Sequence, residues 1–248
     1  MSHRFWLSLL VLAATIASSN GQVSTGASEV ELNLQEFSKE INQGDSAVSK
    51  EDLSAARTHF ASAVALAKSL PEGYLKQRSD ALKKLAEVHD AQHHPDEAEP
   101  LLKERISILE RSSSSSGLMA GIAWFDLETH YAMAGQLDES VESAQRATAF
   151  YLAHMTDPKQ SKTCDRRLAD VEGMVGVALF RARRFAESEP WIKKVVSRED
   201  RSVRPLIMIG ALQAWAFLLE GRGKPEGAAL AKARASRLET QMPIPSAK

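Results

Sequence analysis

The sequence predicts an all-α chain of about five helical hairpins stacked in series. Three observations carry that expectation. Apolar residues recur at three- and four-residue spacing in ten successive segments joined by short polar turns. A small residue recurs near the start of every second helix, at Ala56, Ala98, Ser140, Ser188 and Ala228, at intervals of 42, 42, 48 and 40 residues. No stretch makes a convincing strand. At 248 residues, with 44% hydrophobic and 25% charged content, the chain is long enough for one substantial core.

The first residues differ in kind from the rest. His3 and Arg4 precede an apolar run from Phe5 to Ala17, and small residues follow at Ser18, Ser19 and Gly21. This is the layout of a cleaved secretory signal over residues 1–21, shorter than the roughly 20 apolar residues a membrane span needs. It implies an exported protein, periplasmic or secreted, with cleavage near Ser19 or Gly21 and no stable membrane span afterwards; an uncleaved signal anchor is the alternative. No cysteine ends the apolar run, so a lipid anchor is not expected. Residues 22–29 then read as a flexible linker, 30–241 as the repeat domain and 242–248 as a flexible tail.

Within the repeat domain, Leu34, Phe37 and Ile41 form a first helix ending at Gly44-Asp45. Ser49-x-x-Asp52 resembles a capping box opening the second, which carries Leu53, Ala56, Phe60, Ala63, Val64 and Ala67 to a stop at Leu70-Pro71-Glu72-Gly73. The hairpin of 74–111 turns through His94-Pro95-Asp96 and is closed by the serine run Ser112–Ser116, an inter-repeat loop. Ile122, Trp124, Leu127, Tyr131 and Met133, a turn at Ala134-Gly135-Gln136, then Val141, Ala144, Ala147 and Phe150 make the third pair. The fourth uses Leu168, Val171, Val175, Gly176, Leu179 and Phe180, turns at Arg183-Arg184, and resumes at Phe185. Pro205 opens the fifth, in the first helical turn where its missing N–H costs nothing. Leu212, Trp215, Ala216 and Leu219 continue it, and Gly221 to Pro225 turn it into a last helix.

The residues that recur are those of one known pattern. Trp124, Leu127 and Tyr131 on a first helix, and a small residue followed four later by a large one on the second, resemble the tetratricopeptide repeat. Glu128 departs from it where a small residue is expected. The openings Glu97-Ala98-Glu99-Pro100 and Glu187-Ser188-Glu189-Pro190, with a period near 42, resemble the kinesin light chain type of that repeat. The resemblance implies a right-handed superhelix, an α-solenoid, with HEAT repeats as the alternative fold. A hairpin alone cannot bury its apolar face, and stacking hairpins makes one continuous core. A proline near a helix start is expected to fall where the N–H groups have no internal partner.

Function is bounded by what is absent as well as by the pattern. The balance of 31 basic against 32 acidic residues leaves no electrostatic footprint for nucleic acid. Cys164 is the only cysteine, so no internal disulfide forms; it reads as a small residue near a helix start, with an intermolecular bridge or a reactive thiol as alternatives. Neither a nucleophile elbow nor a phosphate-cradling glycine loop is present, and no cofactor is expected. His89 and His93 stand four apart, as zinc ligands on one helix face do, with no third ligand evident; His89 also falls at the repeat's packing position. Arg181, Arg183 and Arg184 form the densest basic cluster, read as a solvated turn or an anionic-partner patch.

The repeat resemblance assigns the concave groove to first-helix positions: Lys83 and Glu87, Phe125 and Met133, Val177, Phe180 and Arg181, and Gln213 and Phe217. Several are large and apolar, which fits an extended peptide or a helix; the alternative is that Phe125, Phe180 and Phe217 are core residues. A clamp for C-terminal carboxylates wants Asn where Glu87 stands, so that activity is not expected. The reading is an exported, non-enzymatic scaffold for a protein or peptide partner, without a nucleic-acid role. Two alternatives are a metal-dependent hydrolase built on His89 and His93, and a structural repeat protein that stacks on itself.

Overall fold

The computed structural model describes residues 28–111 and 117–242. The signal-like stretch 1–21, the linker up to residue 27, the serine run 112–116 and the tail from residue 243 lie outside the described residues. Among the described residues ten α-helices follow one another without a strand: α1 (28–49), α2 (Leu53–Ser69), α3 (Leu75–Ala91), α4 (Pro95–Arg111), α5 (Gly117–Ala134), α6 (Leu137–His154), α7 (Ser161–Arg181), α8 (Phe185–Val196), α9 (Pro205–Gly221) and α10 (Pro225–Gln241). Residues 28 and 29, expected in the linker, are helical.

Five hairpin turns are built alike. Glu51, His93, Gly135, Arg183 and Gly223 each adopt the left-handed conformation, with φ between 60° and 76°. The next residue's N–H then donates to the carbonyl five back: Asp52 to Ala47, His94 to His89, Gln136 to Tyr131, Arg184 to Leu179 and Lys224 to Leu219, each at 2.9 Å. This satisfies carbonyls that the helix end would leave without donors. The positions recur at the intervals of the small residues, so turn and packing share one repeat. Glycine enters the left-handed region without penalty, yet three of the five turns hold a side chain there.

Ala56, Ala98, Ser140, Ser188 and Ala228 are all buried, as the repeat requires. Twelve residues before them on the first helices stand Gly44, Ala86, Glu128, Gly176 and Ala216, at the same spacing, and Ser140 and Ser188 hydrogen-bond to Glu128 and Gly176 across the hairpin. A methyl group added at Gly176 would meet the Ile192 side chain at 2.9 Å and its backbone nitrogen at 3.1 Å. A small side chain therefore sets the approach of the two helices. Gly44 has this role against the Phe60 ring, and α1 runs past it to residue 49, so Gly44-Asp45 is packing and not a helix stop. The cap of α2 is Asp52, which accepts from the Ala55 N–H at 3.0 Å, while Ser49 Oγ donates back to Asp45 O at 2.9 Å.

Pro100 and Pro190 lie in the second turn of α4 and α8, deeper than the unpartnered N–H groups of a helix start. Each removes one backbone hydrogen bond. Both prolines are exposed, as are Asp96 and Ala186, whose carbonyls lose the donor, so water reaches them.

The chain divides into two compact units at Leu101 and Leu102. In the first, Phe60, Ala63, Ala67, Ala81, Leu82 and Ala86 are buried. The second holds two clusters. One gathers Phe125, Ala144, Ala147, Tyr151, Cys164, Leu168, Val171, Val175 and Leu179; the other gathers Ile192, Val195, Met208, Leu212 and the small residues of α9 and α10. Each large side chain so buried contributes about 1.5–3 kcal/mol. No helix among the described residues is long and apolar enough to cross a membrane.

Candidate partner-binding groove

In the second unit the first helices α5, α7 and α9 pack in sequence, with α6 and α8 each packed between the neighbouring first helices. Gly173 permits part of this: a methyl there would overlap the Ile207 side chain, so α9 approaches α7 over a bare backbone. Between them lies a groove of about 530 Å³. Thr129, Ala132 and Met133 line it from α5, Met174, Val177 and Arg181 from α7, and Leu206, Ile207 and Gly210 from α9. Met133 is 71% exposed and Leu206 70%, the open apolar surface of the groove.

Glu128 borders this groove as its one fully buried carboxylate, at the position where other repeats hold alanine or glycine. Ser140 Oγ donates to Oε1 at 3.2 Å, and Thr129 Oγ1, which also donates to the Phe125 carbonyl at 3.0 Å, approaches Oε2 at 3.3 Å. Burial pushes the carboxyl up to about 7, against the pull of the two hydroxyl hydrogen bonds. The groove thus has a protonatable group among apolar side chains. In the α7–α8 hairpin, the corresponding serine, Ser188, donates to the Gly176 carbonyl at 2.9 Å instead.

The sequence-assigned groove residues separate. Met133, Val177 and Arg181 come together as expected. Phe125 does not: it is 7% exposed and packed with Ala144, Tyr151 and Leu168, because α5 is apolar on almost every face and its periodicity selects none. Phe180 and Phe217 join Phe185 in an aromatic cluster with ring centroids 5.3–5.5 Å apart, Phe217 being 52% exposed. Gln213 donates to Glu239 on α10 at 3.0 Å. Lys83 belongs to the first unit, where it stands 3.6 Å from Glu87.

Two other expectations resolve locally. Arg184 is bound by Glu187 at 2.5–2.8 Å and by Asp138 at 2.7 Å, which neutralises part of the basic turn. His93 does not share a helix face with His89, because α3 ends at Ala91 and His93 occupies the left-handed turn position. His94 and Glu97 come to His89 in its place. Sequence reading missed the partly buried ion pairs as well: Arg105 with Asp126, and Arg198 with Glu172 at 3.0 Å and with Asp165. Glu128 alone left a signal, as a misfit in the repeat alignment.

No family model matches the sequence, and no curated protein does. Solved structures do. BtubC (BKLC) from P. vanneervenii is similar with a TM-score of 0.66 at 12% identity, over 89% of this chain and 94% of that one. The kinesin light chain nearly identical TPR-like repeats from Podosopora anserina score 0.61, and a single-substitution variant of them 0.62, each at 16% identity over 83% of this chain and 95% of that one. At these identities the likeness is one of fold, and the fold is that of TPR-like helical repeats.

Proposed function

We propose that the chain is an exported, non-enzymatic scaffold that takes an extended protein or peptide segment with apolar side chains into the groove of α5, α7 and α9. The observation that carries this reading is the groove itself, with Met133 and Leu206 largely exposed beside Val177 and Arg181. Exposed apolar surface of this kind costs solubility unless a partner covers it. The helical-repeat fold supports the same reading, since stacked first helices present a continuous surface to an elongated ligand. Arg181, exposed on the groove, favours a partner with an acidic residue or a carboxylate at one end.

The test is selection of peptides from a random displayed library on the immobilised chain from residue 22 onward, followed by affinity measurement on Met133→Glu and Leu206→Glu. Both side chains are exposed, so the fold should survive. Selected peptides should lose at least about tenfold in affinity, one charge in an apolar groove being worth more than 1.4 kcal/mol. Unchanged affinity would place binding elsewhere. Export is tested separately, by N-terminal sequencing of the chain produced with residues 1–21 in place; an intact N-terminus would remove that part of the reading.

A further inference from the structure

The turn from α3 to α4 carries a cluster that no other hairpin repeats. His89 lies in the last turn of α3. His94 accepts the Glu97 and Ala98 N–H bonds at the start of α4, and Glu97 follows in its first turn. One potential ligand atom from each of the three side chains lies within 4.8 Å of the other two. His89 is more than nine-tenths buried. Its Nδ1 lies 2.9 Å from Glu97 Oε2, an ion-pair contact that makes no hydrogen bond.

The α7–α8 hairpin shows one use of these positions. Arg184 and Glu187 hold the places of His94 and Glu97 in the α7–α8 hairpin, and there guanidinium and carboxylate are hydrogen-bonded. Leu179, at the place of His89, packs in the core. In the α3–α4 hairpin His94 stands in place of the arginine and His89 in place of the leucine, so two imidazoles and a carboxylate meet at one turn. We propose that His89, His94 and Glu97 bind one divalent cation of the zinc class, which ties the end of α3 to the start of α4.

The donor chemistry fits this class. Two imidazole nitrogens and one carboxylate oxygen suit zinc and its borderline neighbours better than calcium or magnesium, and three protein ligands leave a position for water. Bonds of about 2.0–2.1 Å require donor separations near 3.4 Å, so donors as far apart as 4.8 Å must close by up to about 1.4 Å, whereas His89 Nδ1 and Glu97 Oε2, at 2.9 Å, need only open slightly. His94 and Glu97 are exposed and can make that movement by side-chain rotation. Burial lowers the affinity of His89 for a proton, against Glu97; Arg57 and His94 lower it further and Asp90 opposes them.

The experiment uses the purified chain stripped of metal, titrated with Zn²⁺ by calorimetry and with Co²⁺ by visible absorption. The expected result is one ion per chain, a rise in thermal midpoint with Zn²⁺, and a loss of roughly tenfold or more in affinity for both His94→Ala and Glu97→Gln. His93→Gly should bind as the parent does. Absence of saturable uptake would overturn the proposal. So would uptake that neither His94→Ala nor Glu97→Gln weakens, or uptake that His93→Gly weakens as much as they do.

Discussion

In the α3–α4 hairpin the recurring small positions, twelve residues apart, are Ala86 and Ala98; forty-two residues on, in α5–α6, the same positions are Glu128 and Ser140. All four are buried. Their turns have the same left-handed residue and the same 2.9 Å hydrogen bond, through His93 in one and Gly135 in the other. The backbone thus repeats while the chemistry does not. A carboxylate survives in the tight position of α5–α6 because Ser140 and Thr129 supply hydroxyl donors; Ala98 and Glu87 stand at those places in α3–α4 and supply none. Conversely, α3–α4 places its unusual groups at the turn, where His89 replaces Tyr131.

Transplanting the difference should have the largest effect. Ala86→Glu buries a carboxylate without donors and should destabilise by about 3–5 kcal/mol, read as a drop in thermal midpoint by circular dichroism. Adding Ala98→Ser and Glu87→Thr should recover part of it, and no recovery would show that the two sites differ in more than these hydroxyls.

Removing the native group is the next test. The Glu128 carboxyl is raised to about 7 from 4.5, so the folded state holds its proton more tightly than the unfolded chain. Its contribution is fully present below about pH 4.5 and is lost as pH rises through about 7, a decline of about 3 kcal/mol. Glu128→Gln should flatten the pH dependence of the denaturation midpoint in that window; an unchanged slope would assign it to other groups.

Gly176→Ala tests the tight position from the other side. Ile192 and its backbone leave no room for the methyl, so a loss of about 1–3 kcal/mol is expected in the same measurement, whereas Ala86 already carries that methyl. The smallest effect belongs to the turns. His93→Gly should gain about 0.5–1 kcal/mol by relieving a left-handed side chain, and Gly135→Ala should lose about as much. Equal responses in the two would mean that His93 is held by contacts that offset its strain.

Much of this was legible in the residues. The recurrence of Ala56, Ala98, Ser140, Ser188 and Ala228 located every second helix, and all five positions are buried. Gly135 and Gly223 announced their turns. Gly44 misled, because a glycine that admits the Phe60 ring has the same letter as one that ends a helix. Phe125 misled because α5 has too few polar residues to show which face is inside. The pairing of His89 with His94 and Glu97 was hidden by the turn: helical spacing points to His93, but the chain leaves the helix before reaching it.

The division follows from the range of the forces involved. Helix spacing, turn conformation and the need for small side chains are local steric matters, settled within a dozen residues of sequence and repeated wherever those residues recur. Which apolar side chains stay open in the groove, and what charge Glu128 bears beside it, depend on how neighbouring hairpins exclude water. Desolvation is a property of the packed assembly of helices, and only the tertiary structure decides it.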